Sequence, residues 1–380
     1  MTTNTMEFSI SASTLTNALS RVIGLVNPKA VSEYLSCVKL TIKDGQLLIE
    51  ATNMDALSNT WINLEGSNSN GAICVDAHSF FEIVKKLPKD KNVDFTMEVN
   101  GESLSYLVIK CGKSKFDLAT LDAEHYPETL GIAQGGVVSL PKEELTFLIK
   151  KVESCIYANE TRYNINGMLL DFKGGEGRIY GISTDGHRLA YAFVENKTIM
   201  EDIKVTIPRK MVLEIKKILE SEDGDVKIIP SMDKVTLEFS SSRFTTKLID
   251  AEFPDYNRVI PTDYTDYFSI NTKGFRNAID RVSSIYSASS TEIGVRLNVS
   301  ESAMKISSTK DINRSFDELI ATFTIAGEMH IMCNFLYVKQ ILDCIDSNDV
   351  KFFVKDWNFP MVVKDTDDAR FFYVVMPMKI

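Results

Sequence analysis

The chain has 380 residues, 44% of them hydrophobic, with 42 basic side chains against 52 acidic ones and a formal net charge of −10. That length is too great for one small core, and the composition is globular rather than disordered or disulfide-stapled. No apolar run reaches about 18 residues, and the opening MTTNTMEFS has neither a basic region nor an apolar core, so we expect a cytoplasmic chain with no membrane span and no secretory signal.

A strand-plus-helix unit, FSISASTLTNALSRV, runs from Phe8 to Val22. It returns 130 residues later as VSLPKEELTFLIKKV, Val138 to Val152, and after another 130 as FSINTKGFRNAIDRV, Phe268 to Val282. Apolar residues fall three and four apart in each, so Leu15, Leu145 and Phe275 occupy one position of a template, as do Ala18, Leu148 and Ala278. In the first copy, Gly24 to Pro28 breaks the pattern, and strands CVKLTI, QLLIEAT, TWINLEG and AICV lead to a second helix at His78 to Leu87. Pro88 stops that helix, and NVDFTMEV and LSYLVIKC flank a hairpin turn at Asn100 and Gly101 before SKFDLATL completes the copy.

The second copy reads GMLLDF, a glycine-rich turn at Gly174, Gly175 and Gly177, RIYGIST and HRLAYAFV. Its second helix starts near Pro208, and VKIIPS, KVTLEF and RFTTKLI come after it. The third repeats GVRLNV, AMKISST and DELIATFT, then a helix, then KFFVK, FPMVVKD and ARFFYVVM. The second helices align as well: Phe80, Ile83 and Leu87 with Val212, Ile215 and Leu219, and with Val338, Ile341 and Ile345. An α+β fold is expected, with three homologous domains at 1–130, 131–257 and 258–380, each of two helices and about eight strands, whose sheets continue from one domain to the next in an arc. Free sheet edges at the ends of such an arc need protection or a partner, and a head-to-tail pair would supply one.

Chemistry is sparse. The six cysteines, Cys37, Cys74, Cys111, Cys155, Cys333 and Cys344, form no CxxC pair and read as reduced, buried thiols. His78, His125 and His330 have no metal-ligand spacing, Asp365, Asp367 and Asp368 suit a hairpin turn, and the GGEG run lacks a phosphate loop's lysine and serine. No metal or cofactor is expected. The most enzyme-like patch is TDGHRLA, where Asp185 and His187 suggest a base and its orienter; a tight turn leading into a strand is the simpler reading.

The acidic mean charge hides grouped basic residues: Lys85 and Lys86, Lys150 and Lys151, Arg209 and Lys210, Lys216 and Lys217, with Arg21 and Arg281 at matching places. A lysine pair on a helix is ordinarily a solvated face, but recurrence at equivalent positions points to a shared surface that meets phosphates without reading sequence.

Four stretches together carry a resemblance: RYNINGMLL from Arg162, STDGHRLA from Ser183, AEFPDYNRVIP from Ala251 and the terminal YVVMPMKI from Tyr373. With the threefold repeat, the chain resembles the bacterial DNA-polymerase sliding clamp, the beta subunit of the replicative polymerase III holoenzyme, over its whole length. The resemblance implies a DNA-clamp fold in which two chains close a ring, with helices inside, sheets outside and duplex DNA through the hole. It implies a processivity factor without an active site, a head-to-tail homodimer that tethers the polymerase III core, the clamp loader and other replication or repair proteins through short linear peptides, in a nucleoid-associated cytoplasmic setting.

By the same resemblance, the peptide cleft is carried over to Ile165, Thr184, Gly186, His187, Arg188, Leu189, Pro254, Arg258, Val259, Val374, Met376, Pro377 and Met378. Phe116, Leu118 and Ile285 resemble the dimer contact, and Lys29 a DNA-touching loop residue, with Lys110, Arg162 and Tyr163 as further candidates for DNA or partner contacts. The chain departs from the family in its five leading residues MTTNT, in a VSEYLSCV segment without the usual proline, and in Ile165, Lys379 and Ile380 where leucine, arginine and leucine are usual.

Overall fold

Each repeat's first helix begins where a short strand gives way to a polar cap or a proline. In the computed structural model, which describes residues 6–66, 68–100, 104–128, 130–159, 161–287, 293–300, 303–309, 314–325 and 327–378, these helices are α1 (Ala12–Ser20), α3 (Lys142–Val152) and α5 (Thr272–Ser283), and the second helices are α2 (Ala77–Lys86), α4 (Arg209–Ser221) and α6 (Phe335–Leu342). Ser11, Asp76, Asn271 and Asn334 accept a backbone N–H from the first turn of α1, α2, α5 and α6, satisfying a donor that has no partner within the helix. In the second copy Pro141 and Pro208 end the preceding strands instead, and the first helical N–H of α4, on Arg209, donates to the Asn166 carbonyl at 2.9 Å.

One hydrogen bond recurs in all three copies and fixes their common frame. The first N–H of α1, on Ala12, donates to Lys91 at 3.1 Å, that of α3, on Lys142, to Gly224 at 3.2 Å, and that of α5, on Thr272, to Asn348 at 2.9 Å. Each acceptor immediately precedes a strand: Asn92–Asn100, Asp225–Pro230 or Asp349–Phe353. The template positions Leu15, Leu145 and Phe275 are 0%, 1% and 0% exposed, so the apolar pattern is the core pattern. The second-helix template needs one correction: in α2 the core residue is Val84, fully buried, rather than Ile83, because Phe80, Val84 and Leu87 make the inward stripe.

Among the described residues the three copies hold eight, eight and nine strands. They fall into two compact units, Met1–Leu145 with Lys210–Leu248, and Thr146–Arg209 with Ile249–Ile380, so each unit takes half of the middle copy. The first contains one 12-stranded sheet, continuous because Ala56–Asn63 pairs antiparallel with Ser242–Lys247, Ser242 opposite Thr60. In the second unit, Arg188–Glu195 pairs with Phe371–Val375, Arg188 opposite Val375, within a nine-stranded sheet beside a separate four-stranded one. Copies are thus joined by backbone ladders, as the expectation of continuous sheets required.

The DELIATFT strand differs from expectation. It divides at Ala321 into Phe316–Ile320, an edge of the four-stranded sheet, and Thr322–Phe323, which pairs with Tyr267–Asn271 in the nine-stranded sheet. Gly101 of the expected hairpin, the leading MTTNT, and Lys379 and Ile380 lie outside the described residues; Asn92–Asn100 and Leu104–Cys111 do pair, Asn100 opposite Leu104. Asp365, 8% exposed, accepts the N–H groups of Asp367 and Asp368 at 2.8 and 3.2 Å, the hairpin turn expected there.

Candidate functional site

A cleft of about 330 Å³ opens in the second unit. Its floor is apolar: Ile165, Leu189, Phe253, Tyr256 and Val374, each at most 8% exposed, form one cluster. Tyr256 is anchored from below, its hydroxyl donating to the buried Asp171 carboxylate at 3.0 Å; burial first and that carboxylate second push its pKa up, so it stays protonated. Thr184, Gly186, His187, Arg162, Asn164 and Asp255 supply a polar rim, and Val259 and Met376 stand at its mouth, 48% and 45% exposed. A wet rim around a dry, aromatic-lined floor is a surface for an apolar side chain carried on a polar backbone. Burying one leucine or phenylalanine there contributes about 1.5–3 kcal/mol.

The rim is shaped by the Thr184 to Arg188 turn. The Asp185 carboxylate accepts the backbone N–H groups of His187 and Arg188 at 2.9 and 3.0 Å and the Arg188 Nε at 3.0 Å. Gly186 sits at φ +87°, a conformation that favours glycine, and a Cβ there would only have to displace the mobile end of Arg162. Arg188 is itself 7% exposed, with its guanidinium 4.2 Å from the centre of the Tyr337 ring. Asp185 therefore holds a turn and an arginine rather than orienting the His187 ring, and the base-orienter alternative is not assembled. The Met376 N–H donates to the His187 carbonyl at 2.9 Å, which carries the strand pairing up to the mouth of the cleft.

Ten of the thirteen residues expected in the cleft line it; Arg258, Pro377 and Met378 do not. The Arg258 side chain is 83% exposed and pairs with Asp255 at 3.0 Å, which steers it off the floor. Met378 is tied down by its N–H to the Met332 carbonyl at 2.7 Å. Sequence reasoning missed Asn164, Phe253, Asp255 and Tyr256 as lining, although the AEFPDYNRVIP stretch that carried the resemblance contains three of them. Arg162, a broader candidate, lines the rim, whereas Tyr163 is 54% exposed outside it.

Comparison with known proteins agrees with this geometry. Family models for the DNA polymerase III beta subunit match residues 6–130 (N-terminal domain), 139–255 (central domain) and 257–379 (C-terminal domain). The beta sliding clamp of Pseudomonas aeruginosa is 30% identical over 99% of this chain and 100% of its own length, and that of Haemophilus influenzae 28% over the same shares. A crystal structure of the Pseudomonas aeruginosa clamp bound to griselimycin superposes with a TM-score of 0.92 at 29% identity, covering 99% of this chain and 100% of the other. The chain belongs to the bacterial sliding-clamp family. It has the clamp fold and is a non-enzymatic processivity factor that encircles DNA.

The basic residues divide in two. Lys29, Lys110 and Lys210 are exposed, as are Lys85, Lys86, Lys150 and Lys217, whose side chains are 57%, 77%, 55% and 60% exposed with acidic neighbours at 2.9–3.9 Å. Arg209 and Lys216 are half-buried. Two of the expected DNA contacts, Lys151 and Arg21, are turned inward. Lys151 is 3% exposed, its ammonium held by Asp346 at 2.8 Å and the Cys344 carbonyl at 2.6 Å above the Phe371 ring. Arg21, 13% exposed, pairs with the buried Glu222 at 3.1 Å, whereas Arg281 stays 60% exposed beside Asp317 at 2.5 Å. Arg21 and Lys151 serve packing because each finds a carboxylate far away in sequence.

Phe116 and Leu118, expected at a dimer contact, are half-buried on Ser114–Asp122, and Ile285 is half-buried just beyond α5. Among the described residues, Ser114–Ala119 is paired on one side only, to Leu104–Cys111, since the ladder to Gly71–Asp76 starts at Thr120. The Phe316–Ile320 edge, not singled out from sequence, exposes Phe316 by 69% and Ile320 by 90%. All six cysteines are free and buried, and burial pushes Cys37 up to about 11 and Cys74, Cys155 and Cys333 to about 12, leaving inert thiols. Among the described residues no helix is long and apolar enough to cross a membrane, and no group of metal-ligating side chains converges.

Proposed function

We propose that the cleft receives short linear peptides from the polymerase III core, the clamp loader and other replication or repair proteins, and that two copies close head to tail into the ring. The observation that carries the reading is the cleft itself, with its aromatic floor, two exposed apolar residues at the mouth and polar rim. Its volume admits one or two apolar side chains, and Met376 can repack around different ones, which suits a site shared among partners.

The ring reading rests on the two one-sided strands. The Ser114–Ala119 edge of one copy would pair with the Phe316–Ile320 edge of another, bringing Phe116, Leu118 and Ile285 towards Phe316 and Ile320. Exposed Lys29, Lys85, Lys86, Lys150, Lys210 and Lys217 would then touch phosphates of the enclosed duplex. Such contacts are individually weak, as sliding requires, and residence is topological. We assign clamp domains to 1–130, 131–257 and 258–380 and place the protein at the cytoplasmic nucleoid during replication.

The test is retention on singly nicked circular plasmid after loading by a bacterial clamp loader with ATP, followed by linearisation. Retention on the circle with loss from free ends is the expected result; equal retention on both forms would overturn topological tethering. A fluorescent short peptide carrying a leucine or phenylalanine among polar residues should bind the intact chain and lose affinity when Met376 or Val259 is cut to alanine.

A further inference from the structure

Three helix ends carry a cation at the same template position: Arg21, Lys151 and Arg281, each 130 residues from the last. In the first two copies that cation crosses to the next copy. Arg21 reaches Glu222 at 3.1 Å, and Lys151 reaches Asp346 at 2.8 Å. Glu222 and Asp346 are themselves equivalent, for each lies two residues before the carbonyl, on Gly224 or Asn348, that accepts the first helical N–H of its copy. The matching carbonyl in the first copy belongs to Lys91, so the residue at the acid's position there is Lys89, which is exposed.

The junction that two chains would form, third copy to first, thus carries Arg281 on one side and Lys89 on the other. We propose that this junction is built on the plan of the two internal ones but lacks their ion pair, with Lys89 where they have an acid, and that this one position sets how fast two chains part. The inference rests on the head-to-tail dimer of the proposed function. Arg281 already takes its counter-ion from its own chain, Asp317 on the Phe316–Ile320 edge. Asp90, beside Lys89, is no substitute: its equivalent Asp223 is 101% exposed and pairs with Lys142 rather than Arg21. Each internal junction holds an opposite-charge pair at this position and the external one does not, so the junction between chains lacks a contact that both internal ones have.

The experiment is Lys89→Glu in the full chain, read as the rate of subunit exchange between differently labelled dimers. Installing the missing acid should slow exchange about tenfold, equivalent to about 1.4 kcal/mol. Adding Arg281→Ala should abolish that gain, and raised salt should shrink it. A stable dimer whose exchange is unchanged or faster in Lys89→Glu, or a gain that survives Arg281→Ala, overturns the inference while leaving the dimer reading intact. A chain that sediments as a monomer at all concentrations overturns the dimer reading and this inference with it.

Discussion

Glu222→Ala removes the centre of the junction between the first two copies. The carboxylate is 1% exposed, pairs with Arg21 at 3.1 Å, and accepts hydroxyls from Ser240, Ser241 and Ser242 at 3.2, 3.4 and 2.6 Å. Arg21 would keep only the neutral partners Ser221 and Ser241, at 2.6–3.1 Å, for a charge that is largely out of water. Removing one member of such a pair costs about 3–5 kcal/mol, and the surviving neutral partners set the lower end, about 3 kcal/mol, as the expectation. For a unit of this size that lowers the melting midpoint by about 6–12 °C. The chain has two tryptophans, Trp61 and Trp357, and the Trp61 backbone N–H donates to the Ser241 carbonyl at 3.0 Å, so in a Trp357→Phe background its fluorescence reports unfolding at this junction. Replacing both charges, as Arg21→Met with Glu222→Leu, should recover more than half of the loss, because no buried charge is then left unpaired. A single variant that loses less than about 1 kcal/mol, or a double variant that loses the sum of two independent effects, would refute the assignment.

Met376→Ala should weaken binding of the fluorescent peptide about tenfold with an unchanged melting midpoint, since the side chain is 45% exposed at the mouth; Leu189→Ala, at the 2% exposed floor, should instead cost about 2–5 kcal/mol of stability, seen in urea unfolding. Gly186→Ala forces a side chain into φ +87° and against Arg162, so it should cost about 1–2 kcal/mol and also reduce peptide affinity, measured by the same two assays. Native protein should leave its cysteines unreacted with a thiol reagent at pH 8. Because burial raises the folded pKa of Cys37, Cys74, Cys155 and Cys333 above the ordinary thiol value of about 9, their stabilisation is full below that value and is lost as pH climbs towards 11–12, a decline to be followed by denaturation midpoints. Lys85→Glu with Lys86→Glu should lower the salt slope of duplex binding by about two if both lysines touch phosphate, whereas Lys151→Gln should act on stability, its ammonium being turned to Asp346.

The repeat was legible because burial imposes the same period on each copy: Leu15, Leu145 and Phe275 are buried for one reason and recur at one interval. Local turns were legible too, as at Asp365, where a short side chain closes its own backbone. What was not legible depends on distance in sequence. Nothing around Arg21 or Lys151 tells that a carboxylate lies about 200 residues away, as the ion pairs with Glu222 and Asp346 reveal, so cation-bearing helices looked uniformly like phosphate contacts. The sheet switch at Ala321 is equally hidden, because residue alternation continues through it while the ladder partner changes. Ile83 and Val84 are adjacent and both apolar, and packing alone chooses between them.

The cleft arises where two copies of one template part company. In the first copy Leu121 to Pro127 reads LDAEHYP and turns Tyr126 inward, 8% exposed, against Cys37, Cys74 and Ala123, with Tyr34 and Leu121 packed against them. In the second copy Ile249 to Pro254 reads IDAEFP, puts Phe253 at the equivalent place, also 8% exposed, and runs on into the Tyr256–Arg258 turn beside Ile165, Leu189 and Val374. Glycine at position 186 keeps the facing turn low, and Asp185 holds that turn by hydrogen bonds that leave the apolar floor untouched. The same exit thus ends differently in two copies: Tyr126 packs among its neighbours, while Phe253 is part of an open apolar floor that a peptide side chain can fill.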